Sequence, residues 1–380
     1  MLSKIKKKIE NVMTGAGGNS FSFVEVLLFI PSLFYGGLVK LRLSAYQGGM
    51  IKPKRLPCTV ISIGNITAGG TGKTPMTLYI AELVKRLGYE VVVISRGYKG
   101  ELEKTGGIVS NGKTVLMVPE KAGDEPFMLA GRLKNIPVIV GKDRFEAGMQ
   151  GVKKFNPDVI VLDDAFQHLK LKRDINLVLL DAKHPFGNLR LLPRGILREP
   201  PSSILRSDAF VMTRSGLASE IEVENSLAGL KEFIQSKPVF KTSHVPYAYI
   251  VKKGNRAHFE AILKNSFLYD YAFLKDRRVF AFAGIARNDD FLHTVKNFKC
   301  DITDFLGFGD HHRYSDSDLS KILRLAKEAN VEYLVTTEKD YARIANRTGW
   351  PTDLVVIGIE ISFINDSKAF DDFMKTALSG

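Results

Sequence analysis

Residues 59–74 read TVISIGNITAGGTGKT. Residues 59–63 are a short apolar run that reads as a buried strand. A glycine-rich loop follows, closed by Lys73-Thr74. Pro75 suits the first turn of a helix, Met76, Ile80, Leu83, Val84 and Leu87 keep helical spacing, and Gly88 suits the exit. Strand, glycine-rich loop and helix are the context that a phosphate-binding P-loop requires. The residue types have physical reasons. Glycines let backbone N–H groups converge on phosphate oxygens without Cβ clashes, and a helix N-terminus adds partial positive charge. The expectation is that Thr67, Ala68, Gly69, Gly70, Thr71, Gly72, Lys73 and Thr74 wrap the phosphates of ATP, with Lys73 on the β- and γ-phosphates and the Thr74 hydroxyl on Mg²⁺. One position departs from the usual pattern. Thr67 stands six residues before the lysine, where glycine is customary, and Gly69-Gly70 supply the flexibility instead.

Outward from this stretch, residues 91–95, 138–141, 159–162, 177–180 and 210–213 read as further strands, with helical patterns between several of them. That alternation predicts an α/β fold with a doubly wound parallel sheet, whose ligands gather at the carboxyl ends of the strands. Asp163 and Asp164 fall at such an end, after VIVL, and an apolar strand ending in Asp is the second nucleotide signature, holding Mg²⁺ directly or through water. Residues 240–273 break the rhythm. A strand at 247–251, a turn signal at 252–255 and a second extended run at 267–273 suit a two-stranded linker. From Arg278 the α/β pattern resumes, with strands at 279–282, 333–336 and 354–357 and helices at 289–298 and 316–329. The expected organisation is an N-terminal segment (1–50), a P-loop core (51–238), a linker (239–275) and a smaller C-terminal α/β subdomain (276–380).

Composition bounds the partners. The 380 residues are 45% hydrophobic and 25% charged, an ordinary globular balance with length enough for two domains. Cys58 and Cys300 are too few for a disulfide framework or a four-cysteine metal site, which fits a cytosol-facing location. The net charge is +13, and residues 1–55 hold nine basic side chains against Glu10 and Glu25, over half of the excess. No zinc-finger pattern, RNA-binding aromatic motif or sustained basic heptad accompanies it, which argues against nucleic acid and for an anionic membrane surface. The apolar stretch at 26–39 (VLLFIPSLFYGGLV) has 14 residues, short of the roughly 18 of a spanning helix. With the basic cluster at 4–8 before it and Lys40 and Arg42 after it, the expectation is a monotopic helix in the interface. A buried core helix and a short tilted span are the alternatives.

Several further motifs occur in order: ISIGNITAGGTGKTP (61–75), ISRGY (94–98), GDEP (123–126), LDDAFQH (162–168), LPRGILREPP (192–201) and FGDHH (308–312). Together they resemble the lipid A 4'-kinase family, from the N-terminal apolar segment through the C-terminal domain. The resemblance implies transfer of the ATP γ-phosphate to the 4'-hydroxyl of a tetraacylated glucosamine disaccharide 1-phosphate, an acidic glycolipid, at the cytosolic face of the inner membrane. It also implies a P-loop core and a smaller C-terminal subdomain joined by a two-stranded linker, and no obligate protein partner is evident in the sequence. By motif, Asp124 resembles the family's catalytic carboxylate and His311 its partner. Gln167 and His168 follow the acidic pair at the site, and Arg96, Arg198 and Glu199 match positions near nucleotide or substrate. A carboxylate within reach of a sugar hydroxyl can accept its proton, and a histidine can orient that carboxylate. The competing reading is a membrane-recruited P-loop switch ATPase, with water as the phosphoryl acceptor and no need of Asp124 or His311. Residues 337–340 (TEKD) follow a strand and carry no assigned role.

Overall fold

The computed structural model describes residues 13, 23–254, 270–345, 347, 349–364 and 367–379. The basic cluster at 4–8 lies outside the described residues. Helix α1 (Phe23–Gln47) comes first, then the P-loop strand β1 (Thr59–Gly64) and helix α2 (Lys73–Arg86). The core continues through β2 (Val91–Ser95), β3 (Gly107–Ser110), α3 (Asp124–Arg132), β4 (Val138–Val140), α4 (Arg144–Phe155), β5 (Val159–Asp163), β6 (Ile175–Asp181), β7 (Ala209–Thr213) and α5 (Glu220–Ile234). The long β8 (Val239–Val251) leads into β9 (Arg278–Ala283), α6 (Asn288–Asn297), β10 (Asp301–Gly307), α7 (Asp316–Glu328), β11 (Tyr333–Thr337), α8 (Glu338–Ile344), β12 (Asp353–Phe363) and α9 (Ser367–Ser379).

All twelve of these strands join one sheet, in the order β10-β9-β11-β12-β8-β7-β6-β1-β5-β2-β4-β3. From β8 to β4 neighbours run parallel, and so do β12, β11, β9 and β10. Strands β2, β5, β6 and β7 are buried along their whole length, as a parallel sheet covered on both faces requires. This is why they read in sequence as unbroken apolar runs.

The two parallel blocks meet at an antiparallel seam. Strand β8 begins beside β7, with Phe210 opposite Val239, then pairs with β12 from Thr242 opposite Phe363 to Val251 opposite Leu354. The two-stranded ribbon between the blocks is therefore β8 with β12. Of the second extended run expected at 267–273, residues 267–269 lie outside the described residues, as does all of 255–269, and residues 272–274 form a 3₁₀ turn. Sequence order misled here because β12 is 11 residues long and only its first half has the buried apolar pattern that reads as a core strand.

Helix α1 is longer than its apolar run suggests. It has 25 residues, contains Pro31 and continues past Lys40 to Gln47, and its stretch from Val26 to Gln47 is long and apolar enough to cross a membrane by length and composition. It is not a core helix, because Leu33, Phe34, Leu38 and Leu41 are 59–72% exposed. Among the described residues, one edge is docked. Ser32 Oγ donates to Leu191 O at 2.9 Å, Tyr35 Oη to Arg198 O at 2.8 Å, and Arg42 Nη2 to Gln167 O at 2.7 Å. Residues 32, 35 and 42 share one face at helical spacing, and the apolar side chains occupy the others.

Candidate active site

The P-loop is built by the buried strand that precedes it and the helix it opens. Gly72 caps α2 with φ +82°, and a Cβ there would come within 2.8 Å of His244 Nε2, so both backbone and space demand glycine. Thr67 needs none, having no positive φ. Its carbonyl accepts the Asn65 amide at 2.8 Å, and Asn65 Nδ2 also donates to Thr71 Oγ1 at 2.8 Å. From outside, Ala68 N donates to Ile196 O at 2.6 Å and Arg214 Nη2 to Gly70 O at 2.5 Å. The loop is thus held open by side chains and by the 192–201 segment, which explains how the pattern tolerates threonine at 67. Lys73 Nζ lies 3.4 Å from Asn65 Oδ1 and 3.8 Å from Asp164 Oδ2.

The acidic pair ends β5 beside the loop. Asp163 is 1% exposed and accepts the hydroxyls of Thr77 at 3.0 Å and Ser95 at 3.1 Å. Burial, with Glu125 and Asp164 nearby, pushes its carboxyl up to about 6. Asp164, at φ +49°, takes both oxygens to Arg198 Nη1 at 3.1 Å. Burial raises its carboxyl, but Lys73 and Arg198 outweigh that and hold it below the usual carboxylate range. With the buried Thr74 these groups form a hard-oxygen set that fits Mg²⁺. Both carboxylates already accept protein hydrogen bonds, so the fitting ion is one that keeps several of its own waters.

Asp124 opens α3 behind Gly123, whose φ of +89° turns the chain. His311 Nδ1 lies 3.2 Å from Asp124 Oδ2, across 187 residues and from the other block. Arg343, on α8, donates its Nε–H to the same oxygen at 2.8 Å. Burial would raise the Asp124 carboxyl, but His311 and Arg343 together hold it below its ordinary value. Next to it Glu125 pairs with Lys339 at 2.5 Å, and that cation brings its carboxyl down to about 2. Tyr98 meets the His311 ring edge-on, with centroids 5.5 Å apart.

These groups surround one cavity of about 1460 Å³. Its walls include residues 68–74, Glu125, Asp163, Asp164, Gln167, His168, Arg198, His311 and Lys339, with Tyr35 and Arg42 from α1. Asp124 is not one of its wall residues, but its side chain stays 21% exposed between Glu125 and His311, which are. Gln167 Nε2 donates to Asn65 O at 2.7 Å, steadying the P-loop from below. His168 is held neutral, its pKa brought down to about 4 by burial and then by Arg144. Arg96 lines the cavity from a surface position, paired with Glu103 at 2.7 Å. Glu199 differs from the expectation: it is 2% exposed, bonds Arg206 at 2.5 Å, and does not line the cavity. Its carboxylate fixes the loop that carries Arg198. The sequence reading missed Lys339, whose one signal was the unassigned TEKD stretch, and Arg343, three residues beyond it.

Comparison with known proteins bears on this geometry. The profile of a family described as tetraacyldisaccharide-1-P 4'-kinase matches residues 24–379. A tetraacyldisaccharide 4'-kinase of Desulfatibacillum aliphaticivorans is 39% identical over 383 residues, covering 99% of each chain. One of Syntrophus aciditrophicus is 42% identical over 353 residues, covering 91% of each. The crystal structure of LpxK from Aquifex aeolicus in complex with ATP is similar at a TM-score of 0.71 and 31% identity, covering 94% of this chain and 100% of that one.

Proposed function

The chain belongs to the tetraacyldisaccharide-1-P 4'-kinase family, and from that premise we propose how its residues divide the work. It is an ATP-dependent kinase of lipid A biosynthesis, passing the γ-phosphate to the 4'-hydroxyl of a tetraacylated disaccharide 1-phosphate. The switch-ATPase alternative gives way, since the family match runs on through the C-terminal block.

The observation that carries the proposed mechanism is the Asp124–His311 contact, which brings a carboxylate from one block and an imidazole from the other to one edge of the nucleotide cavity. In this reading, residues 67–74 seat the ATP phosphates. Lys73 neutralises charge that develops on the transferred phosphoryl, and Arg198 holds Asp164 in place. Thr74, Asp163 and Asp164 would hold Mg²⁺, which supplies charge neutralisation on the phosphates. Asp124 accepts the proton of the 4'-hydroxyl as that oxygen bonds to phosphorus and ADP leaves. His311 orients Asp124 through its contact with Oδ2. Separating products of γ-labelled ATP and the tetraacyldisaccharide 1-phosphate tests this. Asp124→Asn should form labelled lipid far more slowly than wild type, and a wild-type rate would contradict the assignment.

The membrane attachment belongs to the same proposal: a peripheral or monotopic seat at the cytosolic face of the inner membrane. The docked contacts of α1 run from Ser32 to Arg42, about 15 Å of helix at 1.5 Å per residue. That length is committed to the protein surface and does not cross a bilayer, so α1 lies along the interface with its exposed apolar faces in the acyl boundary. Tyr35 and Arg42 line the catalytic cavity on the opposite edge, so the same helix places the cavity beside the lipid that it draws from.

A further inference from the structure

Both protein partners of Asp124 fall on Oδ2, which among the described residues leaves Oδ1 for an incoming hydroxyl. The second of these partners, Arg343, is itself tightly held. Its side chain is 7% exposed, and its Nη1 donates to Gly284 O at 3.0 Å and Asp340 Oδ1 at 2.9 Å. Asp340 is fully buried and in turn accepts from Tyr314 Oη at 2.9 Å, Gly284 N at 3.0 Å and Thr337 Oγ1 at 2.6 Å. Thr337 also caps α8, bonding Asp340 N at 3.1 Å. The guanidinium therefore cannot swing: Nη1 is anchored in the C-terminal block, and Nε reaches across to the core.

We infer that Arg343 is a positioning residue for phosphoryl transfer, presenting Asp124 as an ionised base with Oδ1 turned to the acceptor hydroxyl. The inference rests on Asp124 acting as that base. Residues 337–340 then have a role, because Thr337 and Asp340 aim Arg343. The fork of a guanidinium is what the site uses, since one planar group bridges two carboxylates at fixed spacing, which an ammonium does not do. The titratable and charged groups facing Asp124 are His311 from the loop after β10, with Asp310 3.8 Å behind it, and Arg343 from α8. On its own helix stands Glu125, paired with Lys339.

The test is kcat and KM across pH for full-length Arg343→Gln, Arg343→Lys and Arg343→Ala, with Asp124→Asn as control. Arg343→Gln should lower kcat by about tenfold or more with little change in KM for ATP. Its acid limb should move up by about one pH unit, since an adjacent cation lowers an aspartate pKa by about 1–3 units. Arg343→Lys should lose rate while its limb stays near the native position, and methylguanidinium should restore part of the rate of Arg343→Ala. A structural role moves melting temperature and not the limb or the rescue. A folded Arg343→Gln with native kcat and limb would overturn the inference. If the Gln and Ala variants fail to fold, Arg343→Lys decides, and a native kcat there would overturn it. Should Asp124→Asn keep native activity, the base assignment itself fails. If that control is inactive while the Arg343 variants are native, this inference alone fails.

Discussion

Replacing Leu33, Phe34, Leu38 and Leu41 together with serine should detach the protein from membranes without touching nucleotide binding. These side chains are 59%, 72%, 67% and 67% exposed, so roughly two-thirds of each is available for burial in lipid. Full burial of a Leu or Phe side chain is worth about 1.5–3 kcal/mol, so each contributes about 1–2 kcal/mol and the four about 4–8 kcal/mol. At about 1.4 kcal/mol per tenfold, even the lower figure is about a thousandfold in partitioning. The docked edge (Ser32, Tyr35, Arg42) is unchanged, so the cavity keeps its wall. Flotation with anionic liposomes at low and high salt, alongside ATP titration, reads both properties. Wild type should float more weakly in salt but not be lost, because its basic residues are screened beyond roughly 8 Å at physiological ionic strength while the apolar contacts are not. The serine variant should stay at the bottom in salt and bind ATP normally. Flotation equal to wild type would refute the apolar anchor, and lost ATP binding would show that these faces serve the fold instead.

Further expectations concern the site and the seam. Lys73→Ala should reduce kcat by about a hundredfold or more with the fold intact by circular dichroism, because it removes the cation beside the transferred phosphoryl. His244, beside Gly72, is held neutral, its pKa brought down to about 3 by burial and then by Arg214. A depressed imidazole pKa gives stability that is full above about 6.5 and is lost as pH falls toward about 3, at up to about 1.4 kcal/mol per pH unit. Urea unfolding of His244→Gln should show a flatter acid limb than wild type. At the seam, buried Arg132 lies 2.8 Å from Glu360 and 3.6 Å from Glu338, whose carboxyl burial pushes up to about 7. That raised carboxyl favours the fold below about 4.5 and loses the contribution as pH rises through about 7. Arg132→Met should therefore cost about 3 kcal/mol at pH 8 and less at pH 5, where Glu338 is protonated, in the same unfolding measurement.

The parts of this molecule legible in sequence are those whose physics is local. The P-loop showed itself because a buried strand, a glycine loop and an amphipathic helix occupy adjacent positions, and the core strands because burial on both faces leaves unbroken apolar runs. Position 67 was read as an irregularity, since bonds that support the loop around its threonine come from far along the chain, Ile196 O accepting from Ala68 N and Arg198 N donating to Ile66 O. The pairing of β8 with β12 was not legible for the same reason: β12 lies about a hundred residues on, and half of it has no core-strand pattern. Asp124 and His311 were singled out by resemblance and not by spacing, and the structure places them 3.2 Å apart. Arg343 carried no mark of its own. It is an ordinary arginine on a short helix, 219 residues from the aspartate it touches, and only the fold brings the two together.

In the proposed mechanism Asp124 and His311 act as one unit in accepting the hydroxyl proton. Single-turnover rates of phosphoryl transfer for Asp124→Ala, His311→Ala and the double variant, with lipid and ATP both saturating, test it most directly. Residues that work as a unit lose their effect together. Each single variant should be strongly slowed, and the double variant should be little slower than the slower single one. A double variant whose loss equals the product of the two single losses would contradict it.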